Sequence, residues 1–224
     1  MISTGTLGAT RYMVRRLTVA DIAQIEAVQK DVVAALEDKA ILQPLDRSEL
    51  ENIVGGNGVM LGAFVEDMLI AFRALLDPLD DDEHLGRDGG LAEPQLSSVI
   101  YQEVSNVHPS YRGYGLQKIL ASLIMNEVDT SRYQYVCATV MPFNIASLKD
   151  KFAQGLKIVA LKLKYGGKLR YVFMKALNGE NKKYSEVIEV AMKDTTTQQA
   201  VLKQGYVGTG MYDKGDEWIV RYEK

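Results

Sequence analysis

The chain has 224 residues, of which 47% are hydrophobic and 25% are charged, a profile typical of one or two ordinary globular domains. Its net charge of -3, with no basic run, argues against a nucleic-acid binder. The lone Cys137 excludes an intramolecular disulfide and a thiolate zinc cluster, and only His84 and His108 could supply histidine chemistry. Residues 1–16 lack the apolar core of a signal peptide, and charges interrupt the apolar stretch 58–76. We therefore expect a cytoplasmic protein without a membrane span.

The N-terminal third predicts alternating strands and helices. Residues 1–10 are small and polar, which predicts a loose arm. A short strand is expected at 12–17, and Thr18 with Asp21 marks the start of a helix whose apolar residues recur at helical spacing. The next predicted elements are a short helix around 47–54 and a hairpin of strands 59–65 and 68–75.

A long polar segment, 77–94, follows the hairpin. It contains Pro78, Pro94 and the acidic run Asp80-Asp81-Asp82-Glu83, a composition typical of a surface loop. Loops of this length inside a domain are often functional, and the acidic run could attract a cationic amine. A plain solvated loop is the alternative, and the sequence leaves both open.

The remainder of the chain predicts two successive strand-helix-hairpin groups. The first group comprises a strand at 133–140, a helix at 144–154 and a hairpin of 156–163 and 169–177. After the linker 178–183, the second comprises a strand at 185–192, a helix at 195–204 and a hairpin across Lys214-Gly215. The segments 152–156 and 202–206 even resemble each other. Because a helix that ends in glycine before a strand is common, duplication and coincidence both remain open.

The most informative motif lies between a strand predicted at 96–107 and an amphipathic helix predicted at 114–128. The turn between them contains Arg112, Gly113 and Gly115. The N-terminus of a helix presents unpaired backbone N–H groups at the positive end of the helix dipole, and glycines let a ligand approach the backbone closely. The motif therefore predicts a cradle for a pyrophosphate group.

These residues resemble the signature of the GNAT superfamily of acetyl-CoA-dependent N-acetyltransferases, an Arg or Gln followed by two residues, Gly, any residue, and Gly or Ala. The matching and flanking residues are Val107, Pro109, Tyr111, Arg112, Gly113, Tyr114, Gly115 and Leu116, and the earlier segment 15–18 with Asp21. Gln117 stands where the family usually has its last small residue. The resemblance implies acetyl-CoA as co-substrate, without a metal, and a CoA-binding role for Arg112 through Gln117.

A second family element supports the resemblance, which spans about residues 12–177. Asn144, Ser147, Gly155 and Leu156 fit its spacing, and the resemblance implies contacts of Asn144 and Ser147 with the pantetheine arm or nearby water. Lys151 occupies the position of a tyrosine that serves as general acid in many members. The acid is therefore open among Tyr165, Tyr171, Tyr101 and water, and Lys151 itself could stabilise a thiolate.

The mechanism implied by the resemblance is direct attack of an amine on the thioester carbonyl. In the family, an N–H near the end of the fourth strand meets the oxyanion, which here points to Asn106 or Val107. A general base often lies on that strand, and Glu103 is the only carboxylate in 96–107. Glu103 is therefore the predicted base, with a solvated strand residue as the alternative.

Other reactive residues have simpler structural explanations. His108, in the turn before Pro109, and His84, in the acidic loop, are typical of loop residues. Cys137 lies in an apolar strand and is expected to be a small buried residue. Trp218 alternates with apolar neighbours and is expected to pack in the C-terminal sheet.

We therefore predict an α/β (α+β) fold with an acyl-CoA N-acyltransferase-like mixed central sheet flanked by helices. Residues 1–177 form a GNAT-like domain and 178–224 a small C-terminal α+β extension. The expected acceptor is a primary amine of a small molecule or peptide. A homodimer is open, since the extension could cover a sheet edge or pair with a partner. The alternatives are a catalytically quiet acyl-CoA-binding sensor or interaction module, and another nucleotide- or phosphate-binding α/β domain.

Overall fold

The structure, a computed structural model, describes residues 1–37, 42–79, 81–179 and 182–224. The strands are β1 (Ser3–Leu7), β2 (Thr10–Arg16), β3 (Gly58–Val65), β4 (Met68–Leu76), β5 (Val99–Val107), β6 (Tyr135–Val140), β7 (Lys157–Lys164), β8 (Lys168–Ala176), β9 (Val187–Ala191), β10 (Val207–Asp213) and β11 (Trp218–Glu223). The helices are α1 (Ile22–Ala34), α2 (Arg47–Asn52), α3 (Leu85–Asp88), α4 (Glu93–Leu96), α5 (Leu116–Met125), α6 (Ile145–Ala153) and α7 (Thr195–Lys203).

The chain divides into two compact units. The first contains Met1–Asp77 with Tyr101–Asp129, and the second contains Pro78–Ile100 with Thr130–Lys224. In each unit helices flank a mostly antiparallel sheet, which confirms the predicted α/β class. The predicted division at residue 177/178 into a transferase-like domain and an extension stays a prediction.

In the first unit the strands follow the order β1-β2-β3-β4-β5. The residues that form the core between α1, α2 and the sheet include Leu17, Ile22, Ile25, Val28, Leu50, Ile53, Met60, Phe64, Leu69, Phe72 and Val104. α5 packs on β3 and β4. Phe72 joins the core beneath α1, whereas the next residue, Arg73, contacts α5. Because successive strand residues point to opposite faces, the two helices cover opposite faces of β4.

The predicted loose arm at residues 1–10 is wrong, because β1 pairs with β2 from Ser3↔Val14 to Leu7↔Thr10. Gly5 faces Tyr12 in this register, and a Cβ atom on Gly5 would lie only 2.5 Å from the Tyr12 hydroxyl oxygen. The absence of a side chain at Gly5 therefore lets the tyrosine cover the strand, an interaction that local sequence does not show.

In the second unit the strands follow the order β6-β8-β7-β10-β11-β9. The segment 77–94, predicted as a surface loop, contains α3 and the start of α4. Leu85 is 2% exposed, and the His84 Nδ1 atom caps α3 by accepting a hydrogen bond from the Gly86 N–H at 3.0 Å. Asp80 of the acidic run lies outside the described residues. Burial of these apolar and small residues makes the segment a packed part of its unit.

The second unit contains a structural repeat with an offset of 50 residues. α6 and α7 are both preceded by a side-chain cap: Asn144 Oδ1 accepts from the Ser147 N–H, and Asp194 Oδ1 accepts from the Thr197 N–H. Two residues after its end, each helix is followed by a glycine with positive φ, 77° at Gly155 and 88° at Gly205. The backbone of the two helices therefore follows one pattern, although few side chains agree.

The β7–β8 and β10–β11 hairpins also correspond to each other at an offset of 50 residues. The β7–β8 register shifts between Ile158 and Ala160, and the β10–β11 register shifts between Gly208 and Gly210, its counterpart 50 residues later. β10 pairs with β7 through Gly208↔Ile158, which are themselves equivalent positions. The C-terminal strands thus cover the β7 edge of the sheet, one of the two roles that the sequence left open for them.

Candidate functional site

A turn with two left-handed glycines joins β5 to α5 in the first unit. β5 ends at Val107, and a 3₁₀ turn at Pro109–Tyr111 leads into residues 112–115. The φ angles are 87° at Gly113 and 75° at Gly115, a region that side chains disfavour. The turn is exposed, and a Cβ atom at either glycine would meet no atom of the described chain within 4 Å. A ligand can therefore reach its backbone N–H groups directly.

The first turn of α5 offers hydrogen-bond donors to such a ligand. In the described ranges no side chain caps the N-terminus of α5, in contrast to α6 and α7. The buried residues that fix the helix on its sheet are Leu116, Leu120, Ala121 and Ile124. Exposed Arg112 and Lys118 add positive charge near the positive end of the helix dipole. The turn therefore fits the pyrophosphate of CoA, the group that the sequence resemblance implies.

A buried arginine lies beneath this turn. Arg73 is 0% exposed, its Nη2 donates to Gln102 Oε1 at 2.7 Å, and its Nη1 lies 3.4 Å from the Gln117 carbonyl oxygen. Gln102 Nε2 in turn lies 3.6 Å from Met125 Sδ. These contacts join β4 and β5 to both ends of α5. Arg73 is not among the predicted site residues, although a charge inside an apolar strand is a usable signal.

Glu103, the predicted general base, lies at a bulge in β5. Leu75 pairs with Gln102, and the next pair joins Ala74 to Val104, so the register passes over Glu103. The Glu103 side chain is exposed. A bulge re-aims a side chain relative to the regular strand, which is an arrangement often found beside active sites.

Asn106 and Val107, the predicted oxyanion donors, end β5. Asn106 is 2% exposed, and its Nδ2 has no hydrogen-bond partner in the part of the chain that the structure describes. The neighbouring Ser105 Oγ is also buried and also has no hydrogen-bond partner among the described residues. A buried donor without an acceptor is destabilising by about 1–3 kcal/mol. The C-terminal end of β5 therefore holds polar groups that a ligand could satisfy.

The two histidines are engaged in local contacts. His108 Nδ1 accepts from the Ser110 N–H at 3.3 Å, and its Nε2 lies 3.5 Å from an Asp31 carboxylate oxygen. Burial lowers the pKa of His84, whose Nδ1 caps α3. Since both nitrogens of His108 have partners, these contacts favour the structural interpretation of each histidine.

The second unit contains the other predicted CoA ligands. Asn144 Oδ1 accepts from the Ser147 N–H at 3.3 Å, so this side chain caps α6. The preceding Phe143 is 52% exposed and has a φ of 68°. Asn144 and Ser147 are both half-buried. The cap fixes the orientation of the residues around it at the N-terminus of α6.

Lys151, at the position of the family tyrosine, is buried in α6 and ion-paired. Its Nζ lies 3.2 Å from Asp150 Oδ2, and the side chains are 9% and 8% exposed. Asp150 also accepts from Gln154 Nε2 at 2.9 Å. The Lys151 ammonium therefore has a carboxylate beside it, which would weaken its attraction for a thiolate.

The candidate tyrosines differ in their availability. Tyr171 is fully buried, its hydroxyl donates to Gln198 Oε1 at 2.6 Å, and burial raises its pKa far above the ordinary value. Tyr101 is 5% exposed, whereas Tyr165 is 40% exposed, with its hydroxyl 3.4 Å from Thr139 Oγ1. Tyr171 is thus poorly suited to donate a proton to a ligand, and Tyr165 is the accessible phenol of the three.

Among the described residues, Cys137 and the acidic groups form no reactive cluster. Cys137 is 0% exposed, and burial raises the pKa of its thiol to about 12. Across the four described ranges, no group of three or more histidine, cysteine, aspartate and glutamate residues is placed to hold a metal ion. In the same ranges, every helix is too short or too polar to cross a bilayer.

No protein-family model matches the sequence, and no curated protein matches it. Solved structures do share its fold. yncA from Salmonella typhimurium, solved with its cofactor acetyl-CoA, has a TM-score of 0.57 at 16% identity, covering 76% of this chain and 96% of its own. An N-acetyltransferase from Staphylococcus aureus Mu50 has a TM-score of 0.56 at 16% identity, covering 75% and 99%. NAA60 from Arabidopsis thaliana, in complex with a bisubstrate analogue, has a TM-score of 0.56 at 17% identity, covering 75% and 99%.

At these identities the similarity concerns the fold. It agrees with the strand, double-glycine turn and helix of the first unit, the motif on which the sequence resemblance rests. A GNAT-family acetyltransferase from Streptococcus pneumoniae is among the similar structures, with a TM-score of 0.56 at 14% identity, covering 74% of this chain and 99% of its own. The chain therefore shares the fold of GNAT acetyltransferases.

Proposed function

We propose that the chain is an N-acetyltransferase that moves an acetyl group from acetyl-CoA to a primary amine of a small molecule or peptide. The observation that carries this proposal is the exposed turn with left-handed Gly113 and Gly115 at the N-terminus of α5. The fold is shared with yncA, which binds acetyl-CoA, and with N-acetyltransferases. A cytoplasmic location and a homodimer remain predictions.

In this proposal the turn binds the pyrophosphate of acetyl-CoA. The donors are the backbone N–H groups of residues 113–117, and the Arg112 guanidinium supplies charge. Arg73 supports the turn through the Gln117 carbonyl. Asn144 and Ser147 are proposed contacts of the pantetheine arm or its water, and Lys151 is retained as a proposed neighbour of the cofactor.

The proposed chemistry follows from what each residue can donate or accept. Acetyl-CoA supplies a thioester carbonyl, which an unprotonated amine attacks as the thiolate leaves. Glu103, exposed at the β5 bulge, is proposed to take the proton of the ammonium directly or through water. The N–H of Asn106 or Val107 is the proposed donor to the carbonyl oxygen. Tyr165 or water is the proposed acid, since Tyr171 is buried and bonded.

The second candidate function is a catalytically quiet acyl-CoA binder that acts as a sensor or interaction module. The observation in its favour is Lys151 in place of the family tyrosine, buried and ion-paired with Asp150. A binder needs the pyrophosphate turn but has no need of a general acid. The two functions therefore differ in amine-dependent thiol release and agree in CoA binding.

The test combines acetyl-CoA binding with thiol release over a panel of amines. The N-acetyltransferase proposal predicts amine-dependent thiol release by the full chain, and a fall of about tenfold or more in kcat/KM for acetyl-CoA in Gly113→Ala. At a φ of 87° a side chain is strained, and it would enter the open space above the turn. Gly215→Ala is the matched control, because Gly215 has a φ of 99° and equally open surroundings in the β10–β11 turn.

The outcomes separate the candidate functions. Binding of acetyl-CoA without amine-dependent thiol release would support the quiet binder. A melting temperature raised by a dinucleotide but not by CoA would support the third interpretation, a different nucleotide-binding domain. Equal effects of Gly113→Ala and Gly215→Ala on kcat/KM for acetyl-CoA would contradict the role of the turn.

A further inference from the structure

Arg170 is a buried cation that has no carboxylate partner among the described residues. It lies in β8, is 7% exposed, and its Nη1 donates to the carbonyl of its neighbour Leu169 at 3.0 Å. In the described part of the chain no carboxylate forms an ion pair with it. Desolvation lowers the pKa of its guanidinium, and Tyr165 acts in the opposite direction. Burial of a charge without a partner is strongly destabilising, so its presence calls for a physical reason.

The two other buried cations near the hairpin and in α6 do have carboxylate partners. Buried Lys164 lies 2.8 Å from Asp88, and buried Lys151 lies 3.2 Å from Asp150. Arg170 differs from both in this respect. If the Arg170 charge were structural, we would expect a carboxylate beside it, as beside Lys164 and Lys151.

The strand places Arg170 on the face of β8 opposite α7. Its neighbour Tyr171 points towards α7, where its hydroxyl contacts Gln198. Alternation therefore directs Arg170 to the other face, together with its cross-strand partner Lys162. Lys162 Nζ reaches Asp88 Oδ1 of α3 at 2.6 Å, which identifies this as the face on which α3 packs.

The carboxylates near this face are already bound by lysines. Asp88 is shared by Lys162 at 2.6 Å and Lys164 at 2.8 Å, and a Glu83 carboxylate oxygen lies 3.5 Å from Lys164 Nζ. With Arg170, three cations meet two carboxylates. Two hydroxyl groups also occur in this unit, where the Tyr165 phenol oxygen lies 3.4 Å from Thr139 Oγ1. These two lysines and two carboxylates balance one another, so the surplus positive charge among these residues is that of Arg170 itself.

We propose that Arg170 anchors the anionic group of the acceptor, and that the natural acceptors are amines that also carry a carboxylate or a phosphate. A planar guanidinium can bind either group through two parallel N–H···O bonds, which fixes orientation as well as charge. This proposal deepens the proposed acetyl transfer and rests on it for the identity of the amine.

The main experiment compares matched pairs of acceptors with the full chain. One pair is an amino acid and the amine that remains without its carboxylate, and the other is ethanolamine phosphate and ethanolamine. The proposal predicts that kcat/KM favours the anionic member of at least one pair by about tenfold or more. In Arg170→Gln the ratio falls towards one through a higher KM, whereas Lys175→Gln, which removes an exposed cation of the same strand, keeps it.

A stability measurement distinguishes binding from a structural role. Arg170→Gln removes a buried charge, so its melting temperature stays equal to or rises above that of the unmodified chain. Arg170→Lys keeps the charge but loses the two-pronged geometry, and we expect a ratio between the two extremes. A marked fall in melting temperature for both variants would overturn the assignment in favour of a structural arginine.

Direct anion binding keeps this proposal separate from acetyl transfer. Acetate and inorganic phosphate are titrated against the full chain, with the ¹⁵N signal of Arg170 Nε as the readout. If no amine is acetylated, the proposed function fails, yet a saturable shift of that signal still supports the anion site. The anion site is overturned if the signal does not respond, or if the acceptor ratio is unchanged in Arg170→Gln. A preference for the carboxylate or the phosphate member identifies which anion is bound.

Discussion

The start of α1 yields a prediction in which stability depends on pH. Asp21 accepts from Arg15 at 2.7 and 2.9 Å, from the Thr18 N–H at 2.8 Å and from the Thr18 hydroxyl at 3.1 Å. The Arg15 hydrogen bonds are the main cause that lowers the pKa of Asp21 from 3.8 to about 2. Such a shift corresponds to about 2 kcal/mol at neutral pH, and to about 1–2 kcal/mol after solvent screening at Arg15, which is 36% exposed.

Asp21→Asn keeps the shape of this side chain and removes its charge. We expect its free energy of unfolding at pH 7 to fall by about 1–2 kcal/mol. Because the pKa is lowered in the folded state, this stabilisation is complete above about pH 4 and disappears as the pH falls towards 2. Urea unfolding of both proteins at several pH values, followed by circular dichroism, measures the difference. The exposed Asp216→Asn serves as control. A difference that is absent at pH 7, or that persists undiminished near pH 2, would refute this reasoning.

Two further predictions concern the second unit. Asn144→Ala and Asp194→Ala should each lower the free energy of unfolding by about 1 kcal/mol, because the two side chains cap equivalent helices in the same way. Urea titration checks this, and a large inequality would argue against equivalent roles in the repeat. Cys137 should react with a thiol reagent at about pH 8 only as fast as the chain unfolds, because it is fully buried and its pKa is raised to about 12. Rapid stoichiometric labelling of the folded chain would contradict its burial.

The elements with strong local periodicity could be predicted from the sequence, and those that depend on distant partners could not. The apolar stripe of α5 and the capped start of α6 have clear local signals. β1 lacks one, because its pairing depends on the space that Gly5 leaves for Tyr12. The repeat shows the same limit, since its match lies in backbone hydrogen bonds and bulges that many different side chains permit.

The candidate site divides in a similar way. Left-handed Gly113 and Gly115 follow from a motif that is visible in the sequence, because glycine is required by the backbone itself. The isolation of Arg170 is invisible there, since it depends on Asp88 being bound by Lys162 and Lys164 across the sheet. The sequence therefore predicts where the backbone adopts a left-handed conformation. The partners of a buried charge can be identified only in the folded structure.

Backbone amide NMR measures whether the turn before α5 binds acetyl-CoA. Addition of acetyl-CoA to the ¹⁵N-labelled full chain should produce saturable shifts of the Gly113, Gly115 and Leu116 amide signals, since these N–H groups lie at the exposed turn and the first residue of the helix. Unshifted signals for these three residues at saturating acetyl-CoA would show that the turn does not bind it.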